Sequence, residues 1–465
     1  MSRNRFLLLT LSLLLVLLSS STLYAQDQPV FRIGILDTER GAISNGARLA
    51  ISEVNEAGGV LRSDGTLIRL ELVTQPTEEG NQLDTAVANI ARSDVIAVLG
   101  PETTEQVLSN LPLLQSLDVP ILTPAIGDTI IASDSSGLLF RTRAAERFQG
   151  FALAEYMTND LNISDIITVQ LDRNSTASRV GFSVALSQIN PSANEETLLL
   201  DENTEISELV ETIIDTDSQA VVTYGPPDLA SAFFAQLREA GWIRNFAYNQ
   251  AQHPGFRDAV PLGFLRGTLS TTTWPVSAMD AVGDQFLNTY VRAFGEVPGE
   301  IEAASYDAVN ILVTALEQSD NLINGLQALE NNRGVQGNLN SPSLGPGEIS
   351  NNVAVVELNR FGGADIQVRY SGTQRITFED APSDDNQVVE NPTPTATATP
   401  DGIFVTIESN VQNVRTGPGT DYDILGQLRQ GETREIVGAT IDFDWVVIEF
   451  RGQQGWLATF LLEVT

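Results

Sequence analysis

An α/β protein of two doubly wound lobes, followed by a small all-β barrel, is the architecture this sequence predicts, and three observations predict it. Short β-rich runs alternate with longer amphipathic stretches from residue 31 to about 320, and the rhythm breaks and restarts midway. A Pro/Thr/Ala run at residues 392–400 then interrupts the pattern. The stretch beyond it reads as short strands broken by Gly, Asp and Pro.

In the first series, strands are expected at residues 31–36, 67–73, 95–100 and 120–123. Between them lie helices at 45–57, 81–93 and from 100 through Leu117. Ala47, Leu49, Ala50, Ile51 and Val54 recur near helical spacing, and Gly58-Gly59 stops that helix. The second series places strands at 166–171, 196–200 and 220–224, with helices at 177–189, 206–214 and 229–241. Strands alternating with helices of this length make parallel sheets covered on both faces. Strands at 353–358 and 366–370 close this part of the chain.

The chain starts with a secretory pattern: Arg3 and Arg5, an apolar run at 6–18, and Leu23-Tyr24-Ala25 before Gln26. The run is shorter than a membrane span needs, so residues 1–25 read as a cleaved signal, with a retained anchor as the other reading. The expected layout is a two-lobed domain at 26–375, a linker at 376–402 and a β-rich module at 403–465. Within the two-lobed domain, lobe 1 covers about 31–145 and 275–345, and lobe 2 about 146–274 and 346–372. The linker is acidic, then Pro/Thr-rich, and cannot bury a core; it should be an extended spacer.

Composition narrows the chemistry. With 60 acidic against 26 basic residues the formal net charge is −34, and the sequence contains no lysine. Such a surface repels nucleic acid and anionic lipid. With no Cys there is no disulfide, thiolate nucleophile or zinc–sulfur site. A single histidine, His253, builds no multi-histidine metal site, and no G-x-S-x-G elbow accompanies it. No cofactor and no metal are expected. Paired carboxylates keep glycosidase chemistry open.

In a parallel α/β sheet, ligands bind at strand carboxyl ends, where helix N-termini point free N–H groups into a crevice. Two such places stand out: Gly100-Pro101-Glu102-Thr103-Thr104, and Thr123-Pro124-Ala125-Ile126-Gly127-Asp128. Hydroxyls of Thr103 and Thr104 with the backbone N–H of Ala125 and Gly127 suit a carboxylate. The competing reading is that these threonines only cap a helix.

Gly34-Ile35-Leu36, Asn45-Gly46-Ala47-Arg48-Leu49-Ala50, Val98-Leu99-Gly100-Pro101, Pro120-Ile121-Leu122-Thr123-Pro124-Ala125, Phe140-Arg141-Thr142 and Ala304-Ser305-Tyr306-Asp307-Ala308 follow one another in this order. Over roughly residues 31–370 the chain thereby resembles type I periplasmic binding proteins, in particular the leucine/isoleucine/valine-binding group that serves ABC importers. The resemblance implies hinged lobes closing over one ligand, gripped in the first lobe at Thr103 or Thr104, Ala125 and Gly127. It also implies an aromatic residue after the first strand of lobe 2 and an acid pairing with the ligand ammonium. Those positions fall near Thr176 and at Gln250, and the loop at 37–44 is shorter than the family norm. A buried ammonium without a charged partner is costly, so either Asp128 or Asp172 substitutes, or the ligand is an amide, a urea or a carboxylate without an amine. Tyr224, Trp274 and Tyr306 are candidates for an apolar wall, with core packing the competing reading for Tyr306.

A second resemblance rests on Gln412-Asn413-Val414-Arg415-Thr416-Gly417-Pro418-Gly419-Thr420-Asp421-Tyr422, Ile424-Leu425-Gly426, Trp445 and Gly455-Trp456-Leu457, which are similar to the bacterial SH3-type domain. It implies binding to cell-wall peptide or a spacer role. Tyr422 and Trp445 are the candidate binding face, and Trp456 the candidate core residue.

These readings converge on a secreted, non-enzymatic solute-binding protein. The expected partners are a small-molecule ligand, a membrane ABC permease and cell-wall peptide. Ligand sensing and a wall-associated hydrolase are the alternatives.

Overall fold

The computed structural model describes residues 28–77, 82–201, 204–275, 281–340, 344–359, 362–376, 404–407, 411–417, 422, 424–439, 445–450, 453–458 and 462–464. The signal segment, the linker beyond Ile376 and the loop at 418–421 lie outside the described residues. The chain divides after residue 381 into two compact units.

The first unit holds two sheets. Strands β1 (Val30–Leu36), β2 (Val60–Leu61), β3 (Leu67–Gln75), β4 (Val95–Leu99), β5 (Ile121–Thr123) and β6 (Leu139–Arg141) form one sheet in the order β2-β3-β1-β4-β5-β6. The chain then builds β7 (Asp165–Gln170), β8 (Asn194–Leu199), β9 (Ala220–Tyr224), β10 (Asn245–Tyr248) and β11 (Thr268–Thr272). It returns to the first lobe for two helices, Ala281–Phe294 and Glu300–Gln318, and a hairpin, β12 (Asn332–Gly334) and β13 (Gly337–Leu339). Strands β14 (Asn352–Leu358), β15 (Ala364–Ser371) and β16 (Gln374–Ile376) then complete an eight-stranded sheet, β16-β15-β14-β11-β10-β9-β7-β8. Each sheet is covered by apolar side chains on both faces. Ile33, Leu99 and Leu312 belong to one core and Val98, Val87 and Leu114 to the other in the first lobe; Ile166 with Phe182 and Val221 with Phe234 do the same in the second.

The doubly wound expectation holds, with additions. Neither sheet is wholly parallel: β2 runs antiparallel to β3, and β14 to β11. Strands β6, β10 and β11, three to five residues long, add to the expected ones. The helix expected from residue 100 through Leu117 is two helices, Thr104–Ser109 and Leu111–Gln115. At the break Asn110 turns its side-chain amide onto the Gln106 carbonyl, 2.9 Å away, and Pro112 has no N–H to continue the ladder. The first helix spans Ala42–Glu56, earlier than the expected start at 45. The Asp37 carboxylate accepts from the Thr38 N–H at 2.7 Å and from the Ser44 N–H at 3.0 Å, the latter a donor that the helix start leaves open.

The second unit is one seven-stranded antiparallel sheet in the order β19-β18-β22-β21-β20-β17-β23. Its strands are β17 (Phe404–Ile407), β18 (Val411–Arg415), β19 (Ile424–Arg429), β20 (Thr433–Ala439), β21 (Trp445–Phe450), β22 (Gln453–Ala458) and β23 (Leu462–Val464). Val405, Val414, Ile436, Val446 and Leu457 fill its core.

Candidate functional site: the cleft between the lobes

Strand order locates the crevices. In the first sheet β1 lies between β3 and β4, so the winding reverses there, and β4 leads on to β5. In the second sheet β7 lies between β8 and β9, and the winding reverses again. Crevices open at such reversals, beyond the strand carboxyl ends. They therefore lie at residues 37–41, 100–104 and 124–128 on one lobe, and at 171–176 and 225–226 on the other.

The loop at 124–128 is held from behind. Arg141, with no solvent exposure, donates from Nη1 to the carbonyls of Ile126 and Gly127 and from Nε and Nη2 to the Glu348 carboxylate. Thr104 Oγ1 accepts the Gly127 N–H at 3.0 Å, and Thr123 Oγ1 accepts the Ala125 N–H at 3.1 Å. Both backbone donors expected to face a ligand carboxylate thus already have protein acceptors. Gly127 is required for this approach: a Cβ there would lie 2.3 Å from Thr104 Cγ2. Thr103 is the N-cap of the Thr104–Ser109 helix, in a capping box with Gln106, and remains exposed.

The other predicted residues divide between cleft and core. Asp128 is paired with Arg147, 2.7 Å away, so its charge is already matched. Asp172 accepts from the N–H and hydroxyl of Ser175. Thr176 donates to the Arg173 carbonyl at 2.7 Å and accepts from Gln170 Nε2 at 2.9 Å. Gln250 is exposed. Trp274 is not a cleft wall: it is 2% exposed and stands edge-on to Phe286 in a first-lobe cluster with Leu49 and Tyr290. Tyr306 also packs in the first-lobe core and donates its hydroxyl to Glu53. His253 caps the Pro254–Arg257 helix, its Nδ1 accepting the Gly255 N–H at 3.0 Å.

Sequence reasoning missed Glu146, the first residue of the Glu146–Asn159 helix. Its N–H donates to the Ile126 carbonyl at 3.0 Å, and its carboxylate accepts from Asp128 N–H at 3.3 Å. The same carboxylate accepts the Ser178 hydroxyl of the second lobe at 2.7 Å. Burial raises its pKa more than these donors lower it. Glu146, Gln149, Ser178, Tyr224, Asn249 and Thr271 enclose, with Ile126, a cavity of about 10 Å³. Apolar and polar residues surround this helix on most sides, so it shows no one-faced pattern. The signal that was available is the adjacency of Glu146 to Phe140-Arg141-Thr142.

In the loop after β4, Glu102 keeps solvent exposure, and its carboxyl pKa is raised first by desolvation from the groups packed around it and then by the nearby Asp37 and Glu302 carboxylates. Arg143, paired with Glu300, partly offsets this. Among the described residues no group of three or more His, Cys, Asp or Glu is arranged to hold a metal ion, and no helix is long and apolar enough to cross a membrane.

In the second unit Trp456 is a core residue, 1% exposed. Tyr422 is 42% exposed and lies against Gly417, and Trp445 is half-buried at the start of β21. Tyr422 precedes β19, so β18 and β22 stand between the two aromatics in the sheet.

Residues 32–359 match the periplasmic binding protein family, and residues 409–462 match the bacterial SH3 domain. No curated protein matches the chain. Among solved structures, the fold is similar to a branched-chain amino acid transporter substrate-binding protein from Streptococcus pneumoniae in complex with isoleucine. That match has a TM-score of 0.61 and 20% identity, covering 75% of this chain and 99% of the other. A leucine-binding protein from Thermotoga maritima gives 0.59 and 20%, covering 73% and 99%. An ABC transporter substrate-binding protein from Desulfitobacterium hafniense complexed with Leu gives 0.60 and 18%, covering 73% and 99%.

Proposed function

This chain belongs to the periplasmic binding protein family, and from that premise we propose that it captures a small polar solute outside the cytoplasm for an ABC-type importer. The solute class is an amino acid or a related amide or carboxylate. The observation that carries the reading is the meeting of two strand-end crevices. Ile126 of the first lobe and Ser178, Tyr224 and Asn249 of the second line one water-sized cavity, which supports the reading that a solute in the cleft beside it meets both lobes. Solved proteins of this fold were crystallised with isoleucine and leucine, which supports the amino-acid class. A binding role is what the family match supports, and the one histidine is committed as a helix cap.

Contacts from the second lobe add to those of the first when the lobes approach, so a solute shifts the equilibrium toward the closed arrangement. Thr103, Thr176 and Gln250, exposed around the crevices, are the residues we assign to solute contact. The C-terminal module, through Tyr422 and Trp445, is assigned to cell-wall peptide. A thermal-shift screen of the full chain against amino acids, amides, short carboxylates and nucleobases tests the proposal. Binding stabilises the native state by roughly 2.7 kcal/mol at a hundredfold excess over Kd. A flat response to every amino acid, amide and carboxylate would overturn it.

A further inference from the structure

The cavity between the lobes is rich in acceptors. Glu146 and Gln149 are each 8% exposed, Thr271 2% and Tyr224 3%. The Ser178 hydroxyl is already donated to Glu146, and the Thr271 hydroxyl points to Gln149 Oε1 at 3.5 Å. Asn249 Oδ1 is buried with no hydrogen-bond partner among the described residues. A cavity of about 10 Å³ is at the lower limit of what holds one water-sized group. A buried carboxylate and an unmatched acceptor around one such space call for a compact group with several donors.

We propose that Glu146 is a charge-gated latch between the lobes: as a bare carboxylate it favours their separation, and an ammonium-sized cation in the cavity lets them close. The inference deepens the solute-binding reading and rests on it. Its geometry is that Glu146, held on the second lobe by the Ser178 hydroxyl, reaches across to the Ile126–Asp128 turn of the first lobe. Separation therefore hydrates its carboxylate, and approach strips that water away.

The charged and titratable groups facing Glu146 do not supply the missing cation. Asp128 adds negative charge from the first lobe. Arg141 and Arg147 are engaged with Glu348 and with Glu348 and Asp128 respectively. From the second lobe, the Tyr224 phenol is held neutral by burial, and Arg179 binds Gln170 and Thr197. A proton can stand in for the cation. Because burial raises the Glu146 pKa, the close arrangement binds that proton more tightly, and acidification favours closure.

The chain contains no cysteine, so spin labels at Glu105→Cys and Asn174→Cys, exposed on opposite lobes, report lobe separation in the full chain. The expected result is a shorter mean label distance when pH falls from 8 toward 4.5. Ammonium chloride at pH 8 shortens it as well, and an equal concentration of sodium chloride does not. Glu146→Gln is short at pH 8 and responds to neither, while Glu146→Asp restores both responses. An unchanged distance under acid and ammonium in the parent chain, or an unaltered response in Glu146→Gln, overturns the latch. If no solute stabilises the chain but the latch responds, the solute-binding reading fails alone. If solutes stabilise parent and Glu146→Gln equally and the label distance is inert, the latch fails alone.

Discussion

Arg141 and Glu348, 207 residues apart in the chain, meet as a two-pronged ion pair in which the arginine has no solvent exposure. The remaining guanidinium nitrogen holds the Ile126 and Gly127 carbonyls. One buried side chain thus joins the first crossing between lobes to the third and fixes the turn that borders the cleft. The backbone repeats the connection: Arg141 N–H donates to Gly347 at 2.7 Å, and Ile349 N–H donates to Arg141 at 2.9 Å.

Removing one partner of a buried pair strands the other charge. Glu348→Ala is expected to cost about 3–5 kcal/mol. Denaturant unfolding of the full chain measures it; a loss under about 1 kcal/mol, the range of exposed pairs, would show that the pair is solvated in solution.

The Gly127–Thr104 contact is steric as well as polar. Gly127→Ala places a methyl 2.3 Å from Thr104 Cγ2, and overpacking of this kind costs about 1–3 kcal/mol. Thr104→Ala removes both offending atoms, so the double variant should recover part of the loss. Purely additive effects in the double-mutant cycle would contradict direct contact.

Gln250 lies at the position where the resemblance expects an acid. If solute contact there is as proposed, Gln250→Glu strengthens binding of an amine-bearing solute. A charge-assisted hydrogen bond contributes roughly 1.5–3 kcal/mol, or about ten- to a hundredfold in Kd. Calorimetry with an amino acid and its deaminated analogue checks this; equal gains for both would place Gln250 away from the amine.

Glu102 gives a pH signature. Its folded pKa is raised, so the native state holds the proton more tightly than the unfolded chain. The associated stability is present at acid pH and is lost as pH rises from the ordinary glutamate value through the raised one. The stability of Glu102→Gln relative to the parent should therefore grow between about pH 4 and pH 7. Parallel curves would mean that Glu102 is freely hydrated.

In the C-terminal module, Trp456→Ala should cost about 3–5 kcal/mol, as for a large core side chain. Half-buried Trp445 should cost less and report on wall binding instead. Sedimentation with purified peptidoglycan separates these effects: a Trp445→Ala module that folds and sediments unchanged removes Trp445 from the binding face.

Sequence alone determined the architecture, because periodicity and turn residues are local properties. Alternating strand and helix runs and the buried position of Trp456 were legible within short windows. The helix cap at Thr103 was legible too, as the competing reading of the same residues. What only the tertiary structure decided depends on residues far apart in the chain. The Arg141–Glu348 pair, the seating of Trp274 against Phe286 and the matching of Asp128 by Arg147 leave no mark in neighbouring residues. Glu146 is the sharpest case. Its role arises because two lobes place Asp128, Ser178 and Asn249 around one carboxylate, and the cost of burying that charge exists only once the chain has folded.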